Sequence, residues 1–281
     1  MARLPFVKMH GIGNDYVYVD CFVHAVSDPA ALARRLSPRR TGVGSDGLIL
    51  ICPSTVADCR MEMYNADGSR GEMCGNGIRC VGKYAWEHGL ARENPLRVET
   101  DAGIKTLELE VSNGEVRSVV VDMGEPILDP ARIPVCFESS TVIDAPLEVG
   151  GEVHRVTCVS MGNPHCVLFV DDVEELDLAS IGPRFEHHAR FPKRVNTEFV
   201  QVLSPRDVRM RVWERGSGET AACGTGACAA AVAAALNRRT ERRVCVHLLG
   251  GDLDIEWRSD DHVSMRGEAV EVFTGEFELP A

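Results

Sequence analysis

The sequence predicts an α/β protein of the α+β type. Two pseudo-symmetric domains are expected, each a curled, mostly antiparallel β-sheet wrapped around a central α-helix. Three observations carry this expectation. Asn14 and Asn163, Asn65 and Glu214, and Cys74 and Cys223 are each separated by 149 residues, and three anchors at one offset indicate a duplicated unit. Strand-like runs joined by turn signals outnumber helical ones. Finally, the helical run at residues 224–237 is apolar on nearly every side, so it must be enclosed all round.

The elements follow in order. Phe6-Val7-Lys8-Met9 and Tyr16-Val17-Tyr18-Val19 flank a glycine-bearing turn and read as a hairpin. Asp28 as N-cap with Pro29 behind it opens a short helix that stops before Pro38. Residues 48–52 and 59–64 are apolar strands. Residues 75–88 form a helix with Ile78, Val81, Ala85 and Trp86 on its apolar face, Arg79, Lys83 and Glu87 on the other, and Gly89 as its stop. Strands at 96–100, 105–111 and 116–121 follow, and Asn113-Gly114 makes the last two a hairpin. Residues 126–151 carry four prolines and read as a crossover loop between domains. The second half repeats the plan, with strands at 153–159, 166–170, 197–203 and 208–214. The apolar helix comes next, then strands at 244–248, 252–257 and 263–266. Gly103, at the hairpin after the first helix, recurs as Gly251.

Composition limits the function. With 44 % hydrophobic and 26 % charged residues, the chain is an ordinary globular one. A net charge of -12 disfavours a nucleic-acid surface, which needs concentrated basic residues. No run approaches the roughly 20 apolar residues that span a bilayer. The N-terminus carries no signal-like apolar stretch, so no membrane association and a cytoplasmic location are expected. Eleven cysteines without a CxxC pair are too few for a disulfide scaffold. Cys21, Cys52, Cys59, Cys136, Cys158, Cys166 and Cys245 are expected as small buried hydrophobes. Cys158 and Cys166 flank His165, but no further ligand lies at zinc-site spacing, so no metal is expected.

Cys74 and Cys223 differ from the other thiols. Each stands at a helix start and is followed by a glycine, Gly75 or Gly224, and then by Asn76 or Thr225. Free N–H groups there carry partial positive charge, lower a thiol pKa and can cradle a carboxylate. Two such thiols suit removal of a proton from one face of a carbon and delivery to the other. No cofactor is needed for that inversion. Asn14, Asn65, Asn163 and Asn196, with Glu214 and Arg215, supply amides and opposite charges for an amino-acid substrate. His165 reads equally well as a donor near the substrate or as a satisfied interior histidine.

Several stretches together are highly specific. They are Lys8-Met9-His10-Gly11-Ile12-Gly13-Asn14-Asp15, Asn65-Ala66-Asp67-Gly68, Met73-Cys74-Gly75-Asn76-Gly77, Ser160-Met161-Gly162-Asn163-Pro164-His165, Arg194-Val195-Asn196, and Glu214-Arg215-Gly216 running on to Ala222-Cys223-Gly224-Thr225-Gly226. Over nearly its full length the chain resembles diaminopimelate epimerase. The resemblance implies that LL-2,6-diaminopimelate is converted to the meso isomer for lysine and peptidoglycan synthesis, without pyridoxal phosphate or metal. Cys74 and Cys223 would be the acid/base pair. Gly75, Asn76, Gly224 and Thr225 would hold the reacting carboxylate, and Asn14, Asn65, Asn163, Asn196, Glu214 and Arg215 the distal groups. It implies domains at 1–122, completed by a returning strand at 270–281, and at 123–269, an active site in the cleft between them, and a homodimer. Some members carry Gln where this chain has Gly47. A proline racemase-like isomerase is the nearest alternative, but proline lacks the second amino-acid centre that the distal residues suit.

Overall fold

The computed structural model describes residues 3–279. The chain forms two compact units, one made of residues up to Val121 with those from Gly267 onward, the other of Asp122–Arg266. In the first unit β1 (Arg3–Gly11) and β2 (Asn14–Asp20) form the expected hairpin, and Ile12 and Gly13 both take positive φ in its two-residue turn. Helix α1 (Pro29–Leu36) starts where the sequence placed it, with Asp28 accepting the Ala31 N–H at 2.9 Å. Strand β3 (Gly47–Cys52) pairs parallel with β2, and β4 (Cys59–Asn65) antiparallel with β3. The short β5 (Arg70–Gly71) leads into α2 (Gly75–Glu87), capped by Cys74 and ended at Gly89 with φ 72°. Strands β6 (Leu96–Thr100), β7 (Gly103–Ser112) and β8 (Glu115–Gly124) form an antiparallel meander, β6 lying parallel to β4. Asn113 and Gly114 have positive φ in the β7–β8 turn.

The second unit is built the same way. After β9 (Ala145–Val149), the strands β10 (Glu152–Ser160) and β11 (Pro164–Phe169) form a hairpin. Helix α3 (Leu178–Glu186) precedes β12 (Asn196–Ser204), which pairs parallel with β11. Strands β13 (Asp207–Glu214) and β14 (Gly218–Thr220) lead to α4 (Gly224–Leu236), capped by Cys223. Strands β15 (Arg243–Leu248), β16 (Gly251–Trp257) and β17 (Val263–Gly267) close the unit, β15 parallel to β13. The last strand, β18 (Val270–Glu278), belongs to the first unit and lies antiparallel beside β1. It takes there the place that β9 takes beside β10.

Each unit wraps its strands around one helix. Helix α2 packs on β1, β2, β4, β6 and β7, and α4 on β10, β11, β12, β13, β15 and β16. Gly226 through Ala234 of α4 are all buried, and their small side chains let strands approach from several sides. No helix among the described residues is long and apolar enough to cross a membrane.

Four sequence expectations need correction. Residues 126–151 are not all loop: β9 pairs with β10 as an edge strand, which tolerates the Pro146 that hid it. Helix α3 carries Gly182 and Pro183 in its interior, and these breakers masked its periodicity. Arg79 does not sit on a solvated face with Lys83 and Glu87 but is completely buried. Not every supporting cysteine is a buried hydrophobe either. Cys59, Cys158 and Cys166 are buried, but Cys136 is exposed and Cys21, Cys52 and Cys245 are half-buried. Cys245 faces Asp252, Asp254 and Asp207, and burial with these carboxylates pushes its thiol up to about 11.

Candidate active site

In the first unit the site is built around the start of α2. Cys74 has extended backbone (φ -133°, ψ 118°), which turns its side chain back over the open helix end. Its Sγ accepts the Gly77 N–H at 3.3 Å, and its thiol donates to Asn14 Oδ1 at 3.2 Å. The same oxygen accepts from Asn76 Nδ2 at 3.4 Å, so Asn14 ties β2 to the first turn of α2. Asn14 is itself held, because its Nδ2 donates to Asp46 Oδ2 at 2.7 Å. Asp46 also bonds Arg39, which in turn bonds Asp15, and the buried Lys8 completes the network on Asp15. Burial pushes the Asp15 carboxyl up, but Arg39 and Lys8 outweigh it and hold it below its ordinary value. Asn65 stands apart: its Nδ2 donates to Ser69 Oγ at 2.9 Å within its own turn.

Beneath this turn lies Arg79, with Nε on the Glu268 carbonyl at 3.1 Å and Nη1 on the Gly75 carbonyl at 3.2 Å. Its charge, the Tyr16 hydroxyl and the N–H groups of Gly77 and Asn76 favour a thiolate at Cys74. Burial outweighs them, and the Cys74 thiol is pushed up from its ordinary value. The expectation that a helix start lowers this pKa is therefore corrected: removal from water costs a thiolate more than the helix end returns. A Cβ at Gly47 would stand 2.1 Å from the Tyr64 carbonyl oxygen and 3.0 Å from the Tyr16 ring. The strand start here is closed against any side chain without local movement.

In the second unit Cys223 caps α4 from a buried position, with Thr225 Oγ1 3.6 Å from its Sγ. Burial, then Glu214, then Glu198 push its thiol far above the ordinary value; the Thr225 hydroxyl and Gly226 N–H offset this only in part. The two thiols thus differ: Cys74 sits over a cation, Cys223 beside two carboxyl groups. Glu214 Oε1 accepts from the Thr220 hydroxyl at 2.5 Å. Arg215 is exposed, and among the described residues its guanidinium meets only the Lys193 carbonyl, at 3.3 Å. Asn196 is spent on the backbone at both ends, donating to the Pro164 carbonyl at 3.2 Å and accepting the Arg215 N–H at 2.9 Å.

Asn163 and His165 meet at the β10–β11 turn. His165 is completely buried, with Nε2 2.9 Å from Asn163 Oδ1 and Nδ1 2.7 Å from Glu198 Oε1. Both of its ring nitrogens have partners in the interior. Sequence reasoning missed Asp46, Arg79 and Glu198. Strand alternation offered one signal, since Glu198 lies two residues beyond Asn196 and so on the same face of β12.

Other clusters lie elsewhere. One cleft, lined by Val149, His154, Leu176 and Arg184, and another, lined by Phe6, Tyr18, Tyr84 and Gly275, contain neither thiol. Cys21 and Cys52 share a hydrogen bond, which lowers the first thiol and raises the second, away from both helix starts.

A family model described as diaminopimelate epimerase matches residues 6–128 and 157–272. The chain belongs to the diaminopimelate epimerase family. A relative in that family, the diaminopimelate epimerase of Acetivibrio thermocellus, is 56 % identical over 277 residues, spanning 98 % of this chain and 99 % of the relative. Among solved structures, a phenazine biosynthesis protein of the PhzF family from Bacillus anthracis has a TM-score of 0.72 at 16 % identity, over 99 % of this chain and 100 % of that one. A probable proline racemase from Agrobacterium radiobacter has a TM-score of 0.71 at 12 % identity, over 99 % of this chain and 93 % of that one. Both share the fold of the family: two similarly built units, each of sheet around helix.

Proposed function

We propose that this chain is a cofactor-independent diaminopimelate epimerase that interconverts the LL and meso isomers with Cys74 and Cys223 as its two bases. The observation that carries the reading is the thiol N-cap at equivalent helix starts of two units with one topology, in a chain of this family. The reaction requires one thiol on each face of a single α-carbon, one drawn from each of the two helix starts. One sulfur, as thiolate, takes the α-proton, and the electron pair moves onto the carboxylate. The other, as thiol, delivers its proton to the opposite face. Bonds and charge balance without any redox change, and the protonation states of the two sulfurs end exchanged.

The N–H groups around Gly75, Asn76, Gly224 and Thr225 stabilise the charge on the carboxylate. Burial raises both thiols, but less at Cys74, where Arg79 opposes it, than at Cys223 beside two carboxyl groups, so Cys74 is the sulfur that ionises more readily. Asn14 steadies Cys74 and Asn76. Asn65, Asn163, Glu214 and Arg215 hold the distal amino and carboxylate groups, while Asn196 sets the backbone that presents Arg215. The meso product serves lysine and peptidoglycan synthesis in the cytoplasm.

Incubating LL-diaminopimelate in D₂O with reduced protein, no added cofactor and a chelator should yield meso product carrying α-deuterium. A folded sample giving neither exchange nor product overturns the reading, and turnover of proline instead would transfer it to the racemase type. We also propose a homodimer, supported by the family and by the exposed Val272 and Phe273 on β18. Sedimentation should show twice the 30.7 kDa chain mass; a single boundary at the chain mass would rule it out.

A further inference from the structure

Glu198 has no part in the mechanism above, yet it is among the most completely buried charged residues of the chain. Its Oε1 lies 2.7 Å from His165 Nδ1, and its Oε2 has no hydrogen-bond partner among the described residues. The carboxyl group is set directly under the first turn of α4. A Cβ on Gly226 would come within 2.7 Å of Oε1 and 3.1 Å of Cys223 Sγ. An interior carboxyl in this position, with one oxygen unpartnered, has no stabilising task that an apolar side chain would not perform better.

Its geometry defines a relay. Two lone pairs 2.7 Å apart cannot face each other, so one proton lies between Glu198 Oε1 and His165 Nδ1. Burial pushes the Glu198 carboxyl up, and His165 partly offsets this. With Oε2 buried and unpartnered a carboxylate is disfavoured, so the carboxyl holds the shared proton and donates it to Nδ1, which leaves the hydrogen of the neutral ring on Nε2. That N–H donates to the facing atom of Asn163, 2.9 Å away, which must then be the amide oxygen. The Asn163 NH₂ is thereby turned outward, and among the described residues it meets no partner. We propose that Glu198 is a positioning residue which, through His165, locks the Asn163 amide with its NH₂ outward and so makes this position a donor for a substrate carboxylate. The assignment of a substrate carboxylate rests on the proposed function; the locked amide does not.

Two variants and one spectroscopic measurement test this. In Glu198→Gln the new amide can still donate to Nδ1, so the ring tautomer and the KM for diaminopimelate should stay as in the unchanged protein. In Glu198→Leu nothing fixes the tautomer, the Asn163 amide can invert, and KM should rise about tenfold or more, the scale of a lost hydrogen bond to a charged group. Glu198→Leu also removes a carboxyl group near Cys223, so kcat is read separately and KM carries the test. Nitrogen-15 spectra of the histidine-labelled protein should show a protonated Nε2 at His165 in the unchanged protein and in Glu198→Gln. An unprotonated Nε2 in the unchanged protein overturns the proposal, as does equal impairment of the Gln and Leu variants or an unmoved KM in Glu198→Leu. If Glu198→Leu does not fold, the spectra and the KM of Glu198→Gln decide. If the unchanged protein does not turn over diaminopimelate, the functional reading fails while the spectra still decide whether the amide is locked.

Discussion

Alanine at Cys74 or at Cys223 lowers epimerisation of diaminopimelate by about 10²–10⁴-fold, the range for loss of a positioned general acid or base. Neither change removes a large buried side chain, so both variants should remain folded. Each keeps one sulfur, and that sulfur can still take and return a proton on its own face. Deuterium should therefore enter one stereoisomer of the substrate without inversion, and the preferred isomer should differ between the two variants. Serine should lie between alanine and cysteine, since its hydroxyl occupies the same cap with a much higher pKa. Stereochemical analysis of the deuterated product checks all of this, and near-normal turnover in either alanine variant would defeat the paired-base assignment.

The fold should lose stability steeply in alkaline solution. Burial raises the Cys80 thiol from 9.0 to about 11, and burial with Asp58 alongside raises Cys59 from 9.0 to about 12. Between pH 9 and pH 11 the unfolded chain has released these protons while the folded chain still holds them. The unfolded state then binds fewer protons, so stability falls as pH rises. Each such group removes about 1.4 kcal/mol per pH unit over that window. Two of them over two units amount to several kcal/mol, a large part of the roughly 5–15 kcal/mol that holds a typical domain together. Melting temperatures recorded from pH 8 to 11 should drop beyond 9, and a variant with alanine at both positions should drop less. A flat profile, or an equal slope in the variant, would show that these thiols ionise without unfolding.

What was legible in the sequence was local. Asp28 before Pro29 names a helix start, Asn113-Gly114 names a hairpin, and the matched spacing around Cys74 and Cys223 names two equivalent units. What was hidden depended on partners distant in the chain or on breakers in unexpected places. Pro146 and Pro183 disguised an edge strand and a helix that tertiary packing tolerates. Arg79 looked like part of a charged i, i+4 row, and its burial rests partly on the Glu268 carbonyl, 189 residues away. Glu198 read as one more strand residue until His165 came to lie against it. The pKa of the thiols was misjudged for a similar reason, because the helix end is visible in sequence and the depth of burial is not.

The strand exchange beside β1 gives this chain an order of maturation opposite to its order of synthesis. As the polypeptide leaves the ribosome, residues 122–266 emerge with every strand their sheet requires, since β9 precedes β10. The unit begun first must wait, with the edge of β1 unpaired, until β18 arrives. That open edge is a template for mispairing until β18 covers it. Arg79 likewise lacks its Glu268 carbonyl until late in translation. The half that carries Cys74 is therefore started first and armed last.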